Sequence, residues 1–250
     1  MVLYEYPFNE GIRTMLRLES LFDRLGQLVP RDLPIDHHFA LATVFEIVEV
    51  ASRADLKADV LKELERQRAQ FKSWRGNPAI SEAALDAVVG RIERAVGRLA
   101  EQPGKAGQSL MTNEWLMSLR SRIGIPGGTC EFDLPGYHAW QQHTAEGRRD
   151  DLTRWTACLL PLAQALQLVL GLLRDSGTTQ RVVAAGGNFQ QSLPAGRVYH
   201  LLRVGLDDDA LVPEITGHRL IVSVRLMRPD AEGRLRPAGG EPSFELTVCA

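Results

Sequence analysis

The chain has 250 residues, with 29 Lys+Arg against 31 Asp+Glu and a formal net charge of −2. Hydrophobic residues make up 44 % and charged residues 24 %, which are globular proportions and exclude disorder of the whole chain; the length allows one large domain or two small ones. The near-neutral balance argues against bulk electrostatic binding to nucleic acid, which requires a clear basic excess.

Only Lys57, Lys62, Lys72 and Lys105 are lysines, and every other cation is an arginine. Codon usage accounts for this bias, yet forked guanidinium groups also suit carboxylates. The cysteines are Cys130, Cys158 and Cys249, odd in number, far apart and without C-x-x-C spacing. A disulfide framework and a cysteine zinc site are therefore disfavoured. The opening Met1-Val2-Leu3-Tyr4-Glu5-Tyr6-Pro7 has no basic region followed by an apolar stretch, so it does not read as a secretory signal, and a cytoplasmic protein is expected.

In chain order, Leu3 to Phe8 reads as a short aromatic strand. Asn9 can cap a helix over residues 10–28, which Pro30 stops. A second helix is expected over 34–53, with Leu41, Val44, Phe45 and Val48 at i, i+3, i+4, i+7. A third spans 55–74, with Leu56, Val60, Leu64, Phe71 and Trp74 on one side, and Gly76-Asn77-Pro78 ends it. Ser81 opens a fourth, which carries Leu85, Val88, Val89, Ile92, Val96 and Leu99. Arg91, Arg94 and Arg98 lie off that stripe and read as a solvated face. After Gln102-Pro103-Gly104 another helix is expected over 108–122. Ile125-Pro126-Gly127-Gly128 makes a tight loop, and Asp133 can cap a short helix with Pro135 and His138 in its first turn. A helix over 148–175 follows. Its stretch Trp155 to Leu173 carries no charge and is close to the ~20 residues a membrane span needs. Pro161, Gln164 and Gln167 interrupt it, and the mean hydropathy of the chain is −0.13, so a buried core helix is expected rather than a span.

After Ser176-Gly177 the period changes to alternation, over 197–204, over 219–228 and at Phe244, Leu246 and Val248. In the second run Leu220, Val222, Val224 and Leu226 share one face, opposite Arg219, Ile221, Ser223 and Arg225. Asp207-Asp208-Asp209 reads as a hairpin turn and Ala238-Gly239-Gly240 as another turn. The expected fold class is α+β, a mainly helical body with a C-terminal antiparallel β domain. The N-terminal strand joins that sheet, since alone it would leave backbone groups unpaired. The corresponding domains are 9–176 for the helical part and 1–8 plus 177–250 for the β-rich part.

Candidate chemistry is sparse. His37 and His38 are adjacent and diverge by about 100° on a helix, His138 and His143 are five apart, and no H-E-x-x-H occurs, so the histidines read as structural and no metal is expected. No Gly-x-Ser-x-Gly, P-loop or G-x-G-x-x-G after a strand is present, so no cofactor is expected. A Cys130/His138 enzyme is the catalytic alternative; Glu131 beside Cys130 opposes a thiolate, and no nucleophile signature surrounds it. What remains is the placement of cations. Arg13 and Arg17 are four apart on the first helix, with Arg24 continuing their stripe; Glu10 can reach Arg13, and no acid at i±3 or i±4 serves Arg17. Two readings stand, solvated or remotely paired arginines on the one hand and an anion-binding role on the other. Arg120 and Arg122 sit where a helix C-terminus favours cations, and Arg219 and Arg225 fit edge protection or solvation equally well.

The run from Tyr4 through Pro7-Phe8-Asn9-Glu10-Gly11-Ile12-Arg13 to Arg17-Leu18-Glu19 resembles the opening of the bacterial Z-ring-associated protein D family, ZapD. Leu61-Lys62-Glu63-Leu64-Glu65-Arg66-Gln67 resembles its third helix. Its most specific signature is matched by Ile125-Pro126-Gly127-Gly128, Cys130, Phe132-Asp133-Leu134-Pro135, His138 and Trp140. Pro161-Leu162 with Gln164-Ala165-Leu166, Ile215-Thr216-Gly217-His218-Arg219 and Arg225-Leu226-Met227 follow in register over nearly the whole chain. The resemblance implies a non-enzymatic cytoplasmic homodimer at the midcell division ring, with no membrane segment and no cofactor. It implies binding to the C-terminal tail of FtsZ, the tubulin-like division protein, and bundling of its filaments. It places the partner-binding surface on Arg13, Arg17, Arg53, Arg120, Arg122, His138, Arg219 and Arg225. Where some relatives carry arginines after Gly107-Gln108, this chain has Met111 and Glu114. The alternative is an arginine-rich α+β module for another acidic partner or nucleic acid.

Overall fold

The computed structural model describes residues 1–52, 56–218 and 220–250. The fold is α+β, and the chain divides into two compact units, Met1–Arg13 with Leu170–Ala250, and Thr14–Val169.

In the helical unit α1 (Glu10–Leu28) starts at Asn9, whose Oδ1 accepts a hydrogen bond from the Ile12 amide at 2.9 Å. Helix α2 (Pro34–Ser52) buries Ala40, Leu41, Val44, Ile47 and Val48 in the core and leaves Glu46 and Glu49 exposed. Helices α3 (Leu56–Ser73) and α4 (Glu82–Glu101) pack through Val60, Leu64, Val89 and Ile92. Ser81 caps α4 by accepting from the Ala84 amide at 3.3 Å, and Lys72–Glu93 at 2.9 Å and Arg75–Asp86 at 2.5 Å pair across the two helices and their connection. Beyond them lie a 3₁₀ turn (Gln108–Thr112), α5 (Glu114–Ile123), α6 (Pro135–Gln141), α7 (Ala145–Thr156), a second 3₁₀ turn (Ala157–Leu159) and α8 (Leu160–Asp175).

Trp115, Trp140 and Trp155 form one aromatic cluster from α5, α6 and α7, with ring centroids 5.1 to 6.0 Å apart; Tyr137 stacks on Trp140 at 6.0 Å. Trp140 donates its indole N–H to Asp151 Oδ2 at 2.9 Å. Beside this cluster the guanidinium of Arg148 is buried, with no carboxylate partner among the described residues. It donates to the carbonyls of Gln141, His143 and Asp32 and, at 2.9 Å, to His37 Nδ1. Carbonyl dipoles thus replace the counter-ion that a buried charge requires. The two adjacent histidines diverge, His37 to Arg148 and His38 to the Tyr137 hydroxyl at 2.7 Å.

In the β unit two antiparallel sheets share one core. The first has the order β1 (Val2–Pro7), β4 (Leu201–Leu206), β8 (Ser243–Cys249), β2 (Thr178–Val183). The second has the order β3 (Asn188–Ser192), β6 (Ile221–Pro229), β5 (Val212–His218), with β7 (Leu235–Pro237) beside β6. Leu202, Val204, Leu206, Phe244 and Leu246 from the first sheet meet Val222, Val224 and Leu226 from the second, and Phe189 packs edge-to-face on Phe244 at 5.4 Å. On the other face of the first sheet Glu5 is held by Arg174 through two bonds of 2.8 and 2.7 Å and lies 3.1 Å from Arg203, its cross-strand partner. Gly177 follows α8 where a Cβ would lie 2.6 Å from Thr247 Cγ2, so no larger residue fits this approach of helix end to sheet.

Several expectations are corrected. The helix expected over 108–122 is a 3₁₀ turn and a separate α5, because the Asn113 side chain accepts from the Leu116 amide at 3.0 Å and caps a new start. Asp133 does not cap α6: Leu134 holds the cap position without a side-chain bond, and the Asp133 carboxylate faces Arg122. With α6 starting at Pro135, His138 is at its middle rather than in a capped first turn. The helix expected over 148–175 starts at Thr144, which caps α7, and a 3₁₀ turn precedes Pro161. The stretch Ala145–Asp175 has the length and hydropathy of a span, but Leu152, Leu159, Leu162, Ala165, Leu166 and Val169 are buried in the protein, as a core helix requires. Strand β4 begins at Leu201, so residues 197–200 precede it. Asp207 to Asp209 join strands of two different sheets rather than one hairpin; Asp208 accepts from the Ala210 amide at 3.0 Å and pairs with Arg228 at 2.6 Å. The first strand joins β4 as expected, and Val222, Val224 and Leu226 are buried opposite exposed Arg225.

Glu5→Ala leaves two half-buried guanidinium groups facing each other, whereas Arg203→Ala leaves Glu5 paired with Arg174. The first is expected to cost about 1–3 kcal/mol in denaturant unfolding and clearly more than the second. Burial holds the His37 imidazole below the ordinary histidine range, the backbone of Arg31 opposes this, and the Arg148 charge adds to the depression. The unfolded chain therefore takes up a proton near pH 6.5 that the fold resists. Stability is expected to be unaffected by this group above about pH 7.5 and to fall as pH drops below about 6.5. His37→Asn, which keeps an acceptor for Arg148, is expected to flatten that slope in unfolding titrations at pH 7.5 and 5.5.

Candidate functional site

Helix α5 carries Glu114 in its first turn and Arg120 and Arg122 in its last, the order that the peptide dipoles favour. The following loop folds back over the helix end through Ile125 N–H to Arg122 O and Gly128 N–H to Ile125 O, both 2.9 Å. Gly127 has φ +69°, and a Cβ on Gly128 would lie 2.7 Å from the Arg122 carbonyl oxygen, so the two glycines are what permit the fold-back. Arg122 Nη1 is 3.7 Å from Asp133 Oδ1, tying α5 to the segment before α6. Helix α6 buries Tyr137 and Trp140 against the aromatic cluster and leaves His138 exposed. Arg120, Arg122 and His138 thus belong to one α5–loop–α6 segment.

The partners of these cations differ. Arg120 donates to Met111 Sδ at 3.0 Å and has no carboxylate among the described residues. No spacing rule in the sequence pointed to this contact, since Met111 lies in a separate turn and methionine is a weak acceptor. Arg13 Nε lies 3.2 Å from Glu10, and Arg17 is exposed one turn further along α1. Arg24, seven residues on, is paired with Glu46 at 2.6 Å. In the β unit Arg225 on β6 faces Glu214 on β5, its register partner, at 3.6 Å. The pairs of Arg13, Arg122 and Arg225 are exposed on both sides, so each contributes roughly 0–1 kcal/mol and can be exchanged for another carboxylate. Arg53 and Arg219 lie outside the described residues.

Among the described residues neither the Cys130 thiol nor the His138 ring makes a hydrogen bond. The Cys249 thiol is buried and pushed up to about 11, which keeps it protonated. Burial also raises the Tyr137 phenol, so it stays protonated beside His38 Nδ1, 2.7 Å away.

Comparison with known proteins sets this arrangement in a family. The family model for ZapD, described as a cell division protein, matches residues 16–225. Cell division protein ZapD of Ralstonia pickettii (strain 12J) is 52 % identical over 251 residues, covering 100 % of this chain and 99 % of the relative. Cell division protein ZapD of Ralstonia nicotianae is also 52 % identical over 251 residues, and that of Cupriavidus pinatubonensis 51 %, each with the same coverage. The α+β chain, with its α5–loop–α6 arginines and its match over full length, belongs to the ZapD family of cell division proteins.

Proposed function

We propose that the protein is a division factor that binds the acidic C-terminal tail of FtsZ and, as a homodimer, crosslinks and bundles FtsZ filaments at the cytoplasmic division ring. The observation that carries this reading is Arg120, exposed enough to receive a ligand and held, among the described residues, only by a thioether. Arg122 and His138 lie on the same segment, and the pair of Arg122 with Asp133 is weak. Arg13, Arg17, Arg53, Arg219 and Arg225 are assigned to the same partner on family grounds. Guanidinium groups orient the tail carboxylates through charge-assisted bonds, and apolar contacts supply much of the affinity. A short peptide loses entropy when it orders, so micromolar affinity, about −8 kcal/mol per site, is expected. Two sites on a two-fold dimer face a polymer that repeats its tails, and rebinding then raises avidity by roughly 10²–10⁴. Met111 and Glu114 make the surface before α5 less basic than in relatives with arginines there, which shifts the contact toward Arg120 and Arg122.

Co-sedimentation with FtsZ polymers tests the reading: bundles are expected with intact FtsZ and absent with FtsZ lacking its tail. Arg17→Glu and Arg120→Glu are each expected to abolish pelleting of bundles while leaving circular dichroism and dimer mass unchanged; surviving bundling removes that arginine from the contact. Tail binding is expected to weaken steeply between 50 and 300 mM salt, because exposed ion pairs are screened. A flat response in fluorescence anisotropy rules out an arginine groove.

A further inference from the structure

Outside this surface the helical unit has a second cationic feature. Arg91, Arg94 and Arg98 line one wall of a cleft of about 240 Å³ between α4 and the first half of α8, whose wall is formed by Pro161, Gln164, Gln167 and Leu168. Elsewhere in this unit Arg24, Arg66, Arg68, Arg75, Arg149 and Arg154 each pair with a carboxylate. Arg91, Arg94 and Arg98 pair with none among the described residues; the one side-chain bond in the group runs from Arg98 to Gln164 Oε1 at 3.0 Å. The cause is local. The acids of α4 that form ion pairs serve the α3 side, Asp86 with Arg75 and Glu93 with Lys72, and the α8 wall is uncharged. Three like charges at i, i+3 and i+7 repel one another along a helix, and no carboxylate among the described residues pairs with them.

We propose that this cleft binds an extended acidic peptide in which carboxylate and apolar side chains alternate. The three guanidinium groups span seven residues of α4, about 10 Å at 1.5 Å per residue. An extended peptide advances ~3.3 Å per residue and turns alternate side chains to opposite sides, so acids two residues apart follow the stripe. The intervening apolar side chains then face Pro161 and Leu168 on the opposite wall. Gln164, with its Oε1 engaged by Arg98, keeps its amide N–H groups for the peptide backbone. A compact phosphate fits less well, because on that wall only the neutral amides of Gln164 and Gln167 donate and Pro161 and Leu168 offer nothing polar.

The test uses the full chain carrying Arg17→Glu and Arg120→Glu, so that the surface assigned above to FtsZ is silenced and its failure stays separable. The probe is a rhodamine-labelled hexapeptide of alternating Asp and Leu, followed by fluorescence anisotropy at 50 mM salt. Saturable one-to-one binding is expected in this background, and adding Arg91→Ala, Arg94→Ala and Arg98→Ala is expected to weaken it at least tenfold with circular dichroism unchanged. Loss of less than tenfold overturns the proposal. So does displacement of the probe by inorganic tripolyphosphate at lower concentration than by unlabelled peptide, which would make the cleft a phosphate site. All three arginines are exposed and none supports the core, so the alanine variant folds as the parent does.

Discussion

The β unit depends on one carboxylate. Glu5, four residues from the first methionine, accepts two bonds from Arg174 at the end of α8 and lies against Arg203 in β4. These three residues come from distant parts of the chain and meet half-buried, so the forked pairing is more directional than a fully exposed salt bridge. It fixes the register of β1 on β4, with Glu5 opposite Arg203. A slip of one residue would turn Tyr4 and Tyr6 away from the core they pack on and push Glu5 into it. Keeping that carboxylate outside the sandwich ties the facing of β1 on β4 to the end of α8.

The helical unit manages charge in another way. Arg148 is buried without an acid among the described residues and is met by the dipoles of three carbonyls and an imidazole, beside a cluster of three tryptophans. This rigid region positions α5 and α6, and with them Arg120, Arg122 and His138. Packing in the interior thus presents Arg120 and His138 at the surface without a carboxylate among the described residues, and Arg122 with a long, exposed pair to Asp133. The contrast between consumed and available arginines is sharper than any overall charge, which is near zero.

Helix positions were legible because burial imposes a 3.6-residue period; Leu41, Val44, Phe45 and Val48 are all buried on α2 as their spacing requires. Alternation likewise revealed β6 and β8. Caps were less legible. Asn9 and Ser81 cap as expected, but Asn113 interrupts a continuous-looking helix, and Asp133 turns to Arg122 because a cation across the loop competes with the helix amides. Of the candidate site, the residue types and the α5–loop–α6 signature could be read. The partners could not, since Arg120 with Met111, or Arg225 with Glu214, are matched by folding rather than by spacing. Arg91, Arg94 and Arg98 read as a plain solvated face because no periodic signal reports that α8, opposite them, lacks acids.

The strand order has a practical side. The match to the family model runs from residue 16 to 225, yet both neighbours of β4 come from beyond it, β1 before and β8 after. A fragment trimmed to those limits would strip β4 of every ladder bond on both edges and expose Leu202, Val204 and Leu206 to solvent. Such a truncation would yield insoluble material in expression trials, so any minimal soluble version must retain the two ends of the polypeptide.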